Sequence, residues 1–174
     1  MKPNVAQDLD QCALPSALEA MGERWSFLIL RGALSGIRHF EEFQCTLGIA
    51  RNILANRLAR LVENGIMLRQ PMQCDRRKVE YRLTEKGREL APVMIALRQW
   101  GEKWGCAPPS CQILADRRDR QPIRPIALQA HDGRTLDLCD VVWLCPDAVT
   151  LVDEEPASGE PAGGHPLDEA AAAL

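Results

Sequence analysis

The sequence lacks any apolar run approaching the roughly 20 residues that a membrane-spanning helix needs. Its first residues, MKPNVAQDLDQC, contain no apolar core of the kind that an export signal carries. Aromatic residues are scarce at 5%, whereas hydrophobic residues reach 46% and charged residues 26%, as is usual for a globular protein. We therefore expect a globular, cytoplasmic protein without membrane contact.

Catalytic motifs are also missing from the sequence. There is no GxSxG, Walker A, GxGxxG or HExxH pattern, which are the spacings that hydrolases, nucleotide-binding enzymes and metalloproteases need. The three histidines, His39, His131 and His165, fall in unrelated segments. We therefore expect that the protein is not an enzyme and that it uses no cofactor.

The cysteines argue against two further classes of protein. Seven cysteines, an odd number, in a chain without an export signal do not indicate a disulfide framework. Four residues separate Cys106 from Cys111 and five separate Cys139 from Cys145, whereas tetrahedral zinc sites prefer CxxC pairs. The sequence predicts reduced thiols and no metal site.

Charge is unevenly distributed along the chain. Residues 1–104 contain 16 basic and 12 acidic side chains, whereas residues 105–174 contain 5 basic and 12 acidic ones. The overall net charge of −3 hides this asymmetry. A basic N-terminal part and an acidic C-terminal part suggest that only the N-terminal part meets a polyanion such as DNA.

Apolar residues at helical spacing predict four helices in the first part of the chain. In the fourth helix, Leu54, Leu58, Leu61 and Val62 recur at i, i+4, i+7 and i+8, which is typical of a face turned to a core. A tight turn at Gly48 joins the third and fourth helices, as in a helix-turn-helix unit. The predicted ranges are Leu14–Gly22, Glu23–Leu34, His39–Thr46 and Ala50–Asn64.

Two strands, Ile66–Met72 and Lys78–Leu83, are predicted next, and the polar turn between them indicates an antiparallel wing. Thr84 can cap a helix that runs to about Trp104 and kinks near Pro92. These elements predict an α+β fold, namely a winged helix-turn-helix with flanking helices. The apolar face of the last helix is predicted to comprise Leu90, Val93, Met94, Leu97, Trp100 and Trp104.

The composition changes after Trp104. The runs Ile126–Gln129 and Val141–Leu144, with a turn signal at His131–Arg134, predict a small β extension. The final residues are rich in proline, glycine, alanine and acid, which predicts a disordered tail. The expected domains are therefore 11–104 for the helices and the wing, 105–152 for the β extension and 153–174 for the tail.

The outer face of the fourth helix carries side chains that can contact DNA. Asn52, Asn56 and Arg60 lie opposite the leucines, with Arg51 at the N-terminal end and Arg57 on a flank. The forked group of arginine matches guanine O6 and N7, and that of asparagine matches adenine N6 and N7. Because recognition helices present their N-terminal residues to bases, we predict base contacts from Arg51, Asn52 and Asn56, and phosphate contacts from Arg57 and Arg60.

A second basic cluster, Arg76, Arg77 and Lys78, lies at the predicted wing tip and is suited to phosphate or minor-groove contacts. For this cluster and for the helix face, the alternative is an ordinary solvated surface without a partner. The turn before the helix and the wing after it favour nucleic acid, namely double-stranded DNA.

Residues 11–104 contain a series of short motifs that follow one another in order. These are Cys12-Ala-Leu-Pro15, Gly22-Glu-Arg-Trp25 with Leu28-Ile-Leu30, His39-Phe40-x-x-Phe43, Leu47-Gly-Ile49, Leu54-x-x-Arg57-Leu58-x-x-Leu61-x-x-x-Gly65-Ile66 and Val79-Glu-Tyr81-x-Leu83-Thr84-x-x-Gly87. In their residues and spacing they resemble the HxlR-type transcription regulators.

The resemblance implies a homodimer that binds operator DNA through a winged helix-turn-helix, with repression favoured over activation. It also implies dimerisation through the N-terminal helix and the helix after the wing. Because some members of the family sense oxidants or electrophiles through an N-terminal cysteine, Cys12 is a candidate redox sensor, and an oxidant or small molecule is a candidate effector. Two alternatives stay open: a winged-helix module that binds protein, and a metal or thiol sensor without direct operator binding.

Overall fold

The computed structural model describes residues 12–72, 78–105, 112–144 and 149. The chain divides into two compact units, Met1–Pro108 and Pro109–Leu174, so the division falls a few residues beyond the predicted boundary at Trp104. The predicted disordered tail, 153–174, and the wing-tip residues Arg76 and Arg77 lie outside the described residues.

From residue 12 onward the described part of the first unit opens with four helices, and each agrees with its predicted range to within one residue at either end. The last three pack around one core because each buries apolar side chains there. The helices are α1 (Ala13–Met21), α2 (Arg24–Leu34), α3 (Phe40–Leu47) and α4 (Arg51–Glu63).

The core of this unit lies where α2, α3 and α4 meet the base of the wing. The predicted stripe of α4 is confirmed, since Leu54, Leu58 and Leu61 are fully buried and Val62 packs against them half-buried. The other buried apolar side chains of this core are Ile29, Leu30, Phe43, Ile49, Ile66 and Met67.

The wing consists of β1 (Met67–Pro71) and β2 (Val79–Leu83), which pair antiparallel with Met67 opposite Leu83 and Pro71 opposite Val79. The structure adds a pairing that the sequence did not predict. The extended backbone before α3 joins the other edge of β2, where His39 bridges Glu80 and the Tyr81 N–H donates to the Arg38 carbonyl at 2.8 Å. The wing is thereby joined to the first helix of the helix-turn-helix.

The helix predicted from Thr84 to Trp104 is two helices, α5 (Glu85–Arg88) and α6 (Ala91–Lys103). Thr84 caps α5 as predicted, since its side chain accepts from the Gly87 N–H at 3.0 Å. The prediction of one kinked helix was wrong because the helix is interrupted between Arg88 and Ala91. The ring of Pro92 is accommodated in the first turn of the new helix.

The second unit contains a two-stranded hairpin of β3 (Leu128–Gln129) and β4 (Thr135–Leu136), followed by a 3₁₀ turn at Leu138–Asp140. The turn predicted at His131–Arg134 is confirmed, but Val141–Leu144 is not a strand. The tight turn brings Thr135 directly opposite Gln129, and this short hairpin forms without Val141–Leu144.

Candidate nucleic-acid interface

Helix α4 presents a polar surface on the side opposite its buried leucines. Arg51, Asn52, Asn56 and Arg60 are all exposed, as the helical spacing predicted. The last three lie in one line that extends over about 12 Å of the helix axis, at 1.5 Å per residue. Among the described residues, no side-chain hydrogen bond or ion pair occupies Asn52, Asn56 or Arg60. Their polar groups are therefore available to a partner.

Arg51 is positioned by an aromatic ring that the sequence analysis did not connect with it. Its guanidinium lies over the ring of Phe40, 4.9 Å from the ring centroid. Phe40 is the first residue of α3 and packs half-buried against the core. Because stacking occupies the face of a guanidinium, the N–H groups at its edge stay able to donate. Arg51 thus lies at the N-terminal end of α4 in a defined orientation.

Arg57 has a partner within the chain. Its guanidinium donates to Glu23, the residue before α2, and only 17% of the Arg57 side chain is exposed. Among the described residues its Nε has no hydrogen-bond partner. The predicted phosphate contact from Arg57 therefore requires that this ion pair open. In the structure, Arg57 ties α4 to the junction of α1 and α2.

A second contact fixes the other end of α4 to the same junction. The side chain of Asn64 donates to the Ala20 carbonyl at 2.9 Å, and Lys86 donates to the Asn64 carbonyl at 2.9 Å. Helix α4 is consequently held at both its middle and its C-terminal end. These contacts fix the orientation of the outer face of α4, and a site on a firmly held element keeps its geometry.

His39 connects the helix-turn-helix to the wing. Its Nδ1 lies 3.3 Å from the Val79 carbonyl, while Glu42 accepts from the His39 N–H at 3.1 Å and caps α3. A glutamate three residues after the cap position was a visible signal for this cap, although serine or threonine is the usual first member of such a pair. The contact between His39 and the wing had no local signal.

The wing cluster is described only at Lys78, which is exposed and immediately precedes β2. The Met72 N–H donates to the Lys78 carbonyl at 2.9 Å, so the two strands are still paired at that point. Lys78 thus lies at the end of the wing away from the core, where the sequence predicted it.

Cys12 caps α1, because its Sγ accepts from the Leu14 N–H at 3.4 Å. Its side chain is half-buried, whereas Cys45 and Cys139 are exposed. In the described ranges, histidine, cysteine and acidic side chains form no group of three that could hold a metal ion. The helices described there also include none with the length and apolar character to cross a bilayer.

Comparison with known proteins places this arrangement in a family. A model of the HxlR-like helix-turn-helix family matches residues 20–108. The chain belongs to the HxlR-like family. The matched range includes α2, α3, α4, the wing, α5 and α6, so α3, α4 and the wing lie within the HxlR-like helix-turn-helix unit.

Two curated relatives agree with this assignment. An uncharacterised HTH-type transcriptional regulator of Mycobacterium tuberculosis is 48% identical over 88 residues, which are 51% of this chain and 56% of that protein. YodB, an HTH-type transcriptional regulator of Bacillus subtilis, is 35% identical over 96 residues, 55% of this chain and 85% of YodB. The chain thus spans little more than half the length of the mycobacterial relative.

Two solved structures are similar over more of the chain. PA1607, described provisionally as a transcription factor, is 42% identical with a TM-score of 0.72, and the match covers 76% of this chain and 94% of that one. PA1374 from Pseudomonas aeruginosa, with the same provisional description, is 36% identical with a TM-score of 0.57, covering 80% and 95%. Both matches take in a larger share of the chain than the HxlR-like match does.

Proposed function

We propose that this HxlR-like protein is a homodimeric, sequence-specific regulator that binds operator duplexes through α4 and represses by blocking access to the promoter. One observation carries the DNA-binding part. Helix α4 buries its leucines and turns Asn52, Asn56 and Arg60 outward without partners among the described residues. Repression, rather than activation, rests on the resemblance to the family.

A selection of bound duplexes from a random pool, followed by anisotropy at increasing salt, tests the proposal. We expect an inverted repeat whose half-sites lie about 10 bp apart, since each protomer of a dimer places one recognition helix in the major groove. The logarithm of the affinity should fall linearly with the logarithm of the salt concentration, because basic side chains displace counterions from phosphates. A module that binds protein would show no affinity for duplex even at low salt, and that outcome would reject the proposal.

An exposed apolar face supports the homodimer. On α6 the side chains of Val93, Leu97 and Trp100 are 48–57% exposed and recur at helical spacing on one side. On α1, Leu14 and Leu18 are also about half exposed. Large apolar side chains in such continuous stripes are typical of a surface that another chain covers. A second copy of this chain fits, because operators read by helix-turn-helix dimers are two-fold symmetric.

Charged substitutions on this face should separate the protomers. We expect Leu18→Glu on α1 and Trp100→Glu on α6 each to raise the dimer dissociation constant by about 30-fold or more, as truncated interface anchors do. Sedimentation velocity over a range of concentrations measures the shift. Ser16→Glu is the matched control, because it adds the same charge at an exposed position off the leucine side of α1. If all three variants have the same dimer dissociation constant, α1 and α6 do not form the dimer interface.

Cys12 is the proposed site of a redox response, as the resemblance implies. Its sulfur caps α1, so oxidation there would disturb the start of a helix that also carries Leu14 and Leu18. If an oxidant releases DNA from the Cys12→Ser variant as completely as from the wild type, Cys12 does not have this role.

A further inference from the structure

The acidic second unit contains a local cluster of arginines. All five basic residues of the segment 105–174 lie between positions 117 and 134. Three of them, Arg117, Arg118 and Arg120, occupy the tip of a hairpin formed by residues 114–123, and all three are exposed. The acidic net charge of the segment suggested that only residues 1–104 meet a polyanion. This hairpin is a basic exception to that charge.

The backbone of the hairpin is held in a fixed shape. The Ile123 N–H donates to the Leu114 carbonyl at 3.1 Å, and Ala115 bridges Pro122. Closer to the tip, the Asp116 N–H donates to the Gln121 carbonyl at 2.8 Å. The three arginines consequently project from a closed turn, which lowers the entropy lost when they bind.

The two aspartates at the tip are engaged with the backbone. Asp116 accepts from the Arg118 N–H at 2.8 Å, and Asp119 accepts from the Gln121 N–H at 2.9 Å. Across the described part of the chain, no side chain forms an ion pair or hydrogen bond with the guanidinium of Arg117, Arg118 or Arg120. Three exposed guanidinium groups thus lie at one turn without a carboxylate partner in the part of the chain that the structure describes.

Arg134 in the next hairpin shows the contrast. Its guanidinium binds Asp132 at 2.8 Å, and hydrogen bonds from Arg134 hold the pKa of that carboxyl below its ordinary value. An arginine paired in this way has its charge compensated locally. Within the described residues the three arginines of the 114–123 hairpin form no such ion pair, and they outnumber Asp116 and Asp119, so the hairpin keeps a net positive charge.

We propose that the hairpin of residues 114–123 is a second DNA contact, in which Arg117, Arg118 and Arg120 bind phosphates of the operator duplex. The proposal rests on the proposed function, because the duplex is the polyanion that an HxlR-like chain meets. Guanidinium groups match phosphate oxygens in both charge and planar geometry. The second unit thereby adds sequence-independent affinity to the reading done by α4.

The test uses the full-length protein and a duplex that carries the selected operator within longer random flanks. Replacing all three arginines by alanine should make the salt dependence shallower, by about 0.9 in log–log slope for each phosphate that a protomer no longer neutralises. The preference for the operator over random duplex should not change, since phosphate contacts do not read sequence. Replacing them by lysine should preserve most of the slope, because the charges remain.

Arg134→Ala is the matched control, as it removes a paired arginine from the same unit and should leave the slope unchanged. The inference is overturned if the triple alanine variant keeps the wild-type slope while the wild type binds duplex. That result would favour an acidic protein segment as the partner of this hairpin. Absence of duplex binding by the wild type would instead reject the proposed function itself.

Discussion

Asn56→Ala is expected to weaken binding to the selected operator by about 1–3 kcal/mol, or roughly five- to 150-fold, and to relax the preference at one base pair. The physical reason is the position of the side chain. Asn56 is exposed in the middle of α4, and within the described residues nothing else occupies its amide. A forked amide in the major groove forms two hydrogen bonds with adenine that another base cannot satisfy.

Competition titrations with single-base variants of the operator measure this effect. Arg60→Ala is the comparison on the same helix face, and it should weaken operator and random duplex by a similar factor, since its predicted partner is phosphate. Glu63→Gln, near the C-terminal end of the helix, should leave base preference unaltered. If Asn56→Ala lowers the affinity for operator and random duplex equally, asparagine does not read a base at this position.

Gly87→Ala is expected to destabilise the first unit by at least about 2 kcal/mol. A Cβ at position 87 would lie 2.2 Å from the carbonyl oxygen of Ile66 and 3.1 Å from a methyl group of Leu83. The Ile66 carbonyl also accepts from the N–H and the hydroxyl of Thr84, both at 3.1 Å. The methyl group would therefore push α5 away from Ile66, the residue before β1, and would disturb the hydrogen bonds that Thr84 donates to the Ile66 carbonyl.

Urea denaturation gives the free energy of unfolding for this variant. The control is Gly65→Ala, because Gly65 has a left-handed φ of +67° but nothing within 4 Å of an added Cβ. That substitution should cost only the conformational penalty of about 1–2 kcal/mol. A loss at Gly87 no larger than the loss at Gly65 would contradict the close approach between α5 and Ile66.

Position 57 illustrates why the site could be predicted only in part. The spacing of leucines in α4 predicts which residues face outward, and Asn52, Asn56 and Arg60 follow that prediction. Arg57 lies on a flank of the same helix, where the helical period alone does not distinguish solvent from a neighbouring element. Its partner, Glu23, is 34 positions away along the chain, and no local pattern connects the two.

The apolar face of α6 illustrates the same limit for the fold. Helical spacing predicted one continuous apolar face from Leu90 to Trp104. In the structure Leu90 and Met94 pack against the core, whereas Trp100 and Trp104 are more than half exposed. Periodicity identifies an apolar face but does not identify what covers it, because burial depends on where the neighbouring helices end.

The amino-acid sequence by itself determined the order of α1 to α4 and the two wing strands, the inward face of α4 and the cap at Thr84. These properties depend on residues within a few positions of one another, so the helical period and short-range hydrogen bonding are enough to specify them. Only the tertiary structure decided that Arg57 binds Glu23, that Arg51 stacks on Phe40 and that His39 joins the wing. Such contacts connect residues that become neighbours only after the core has formed, so chain packing, rather than local preference, selects them.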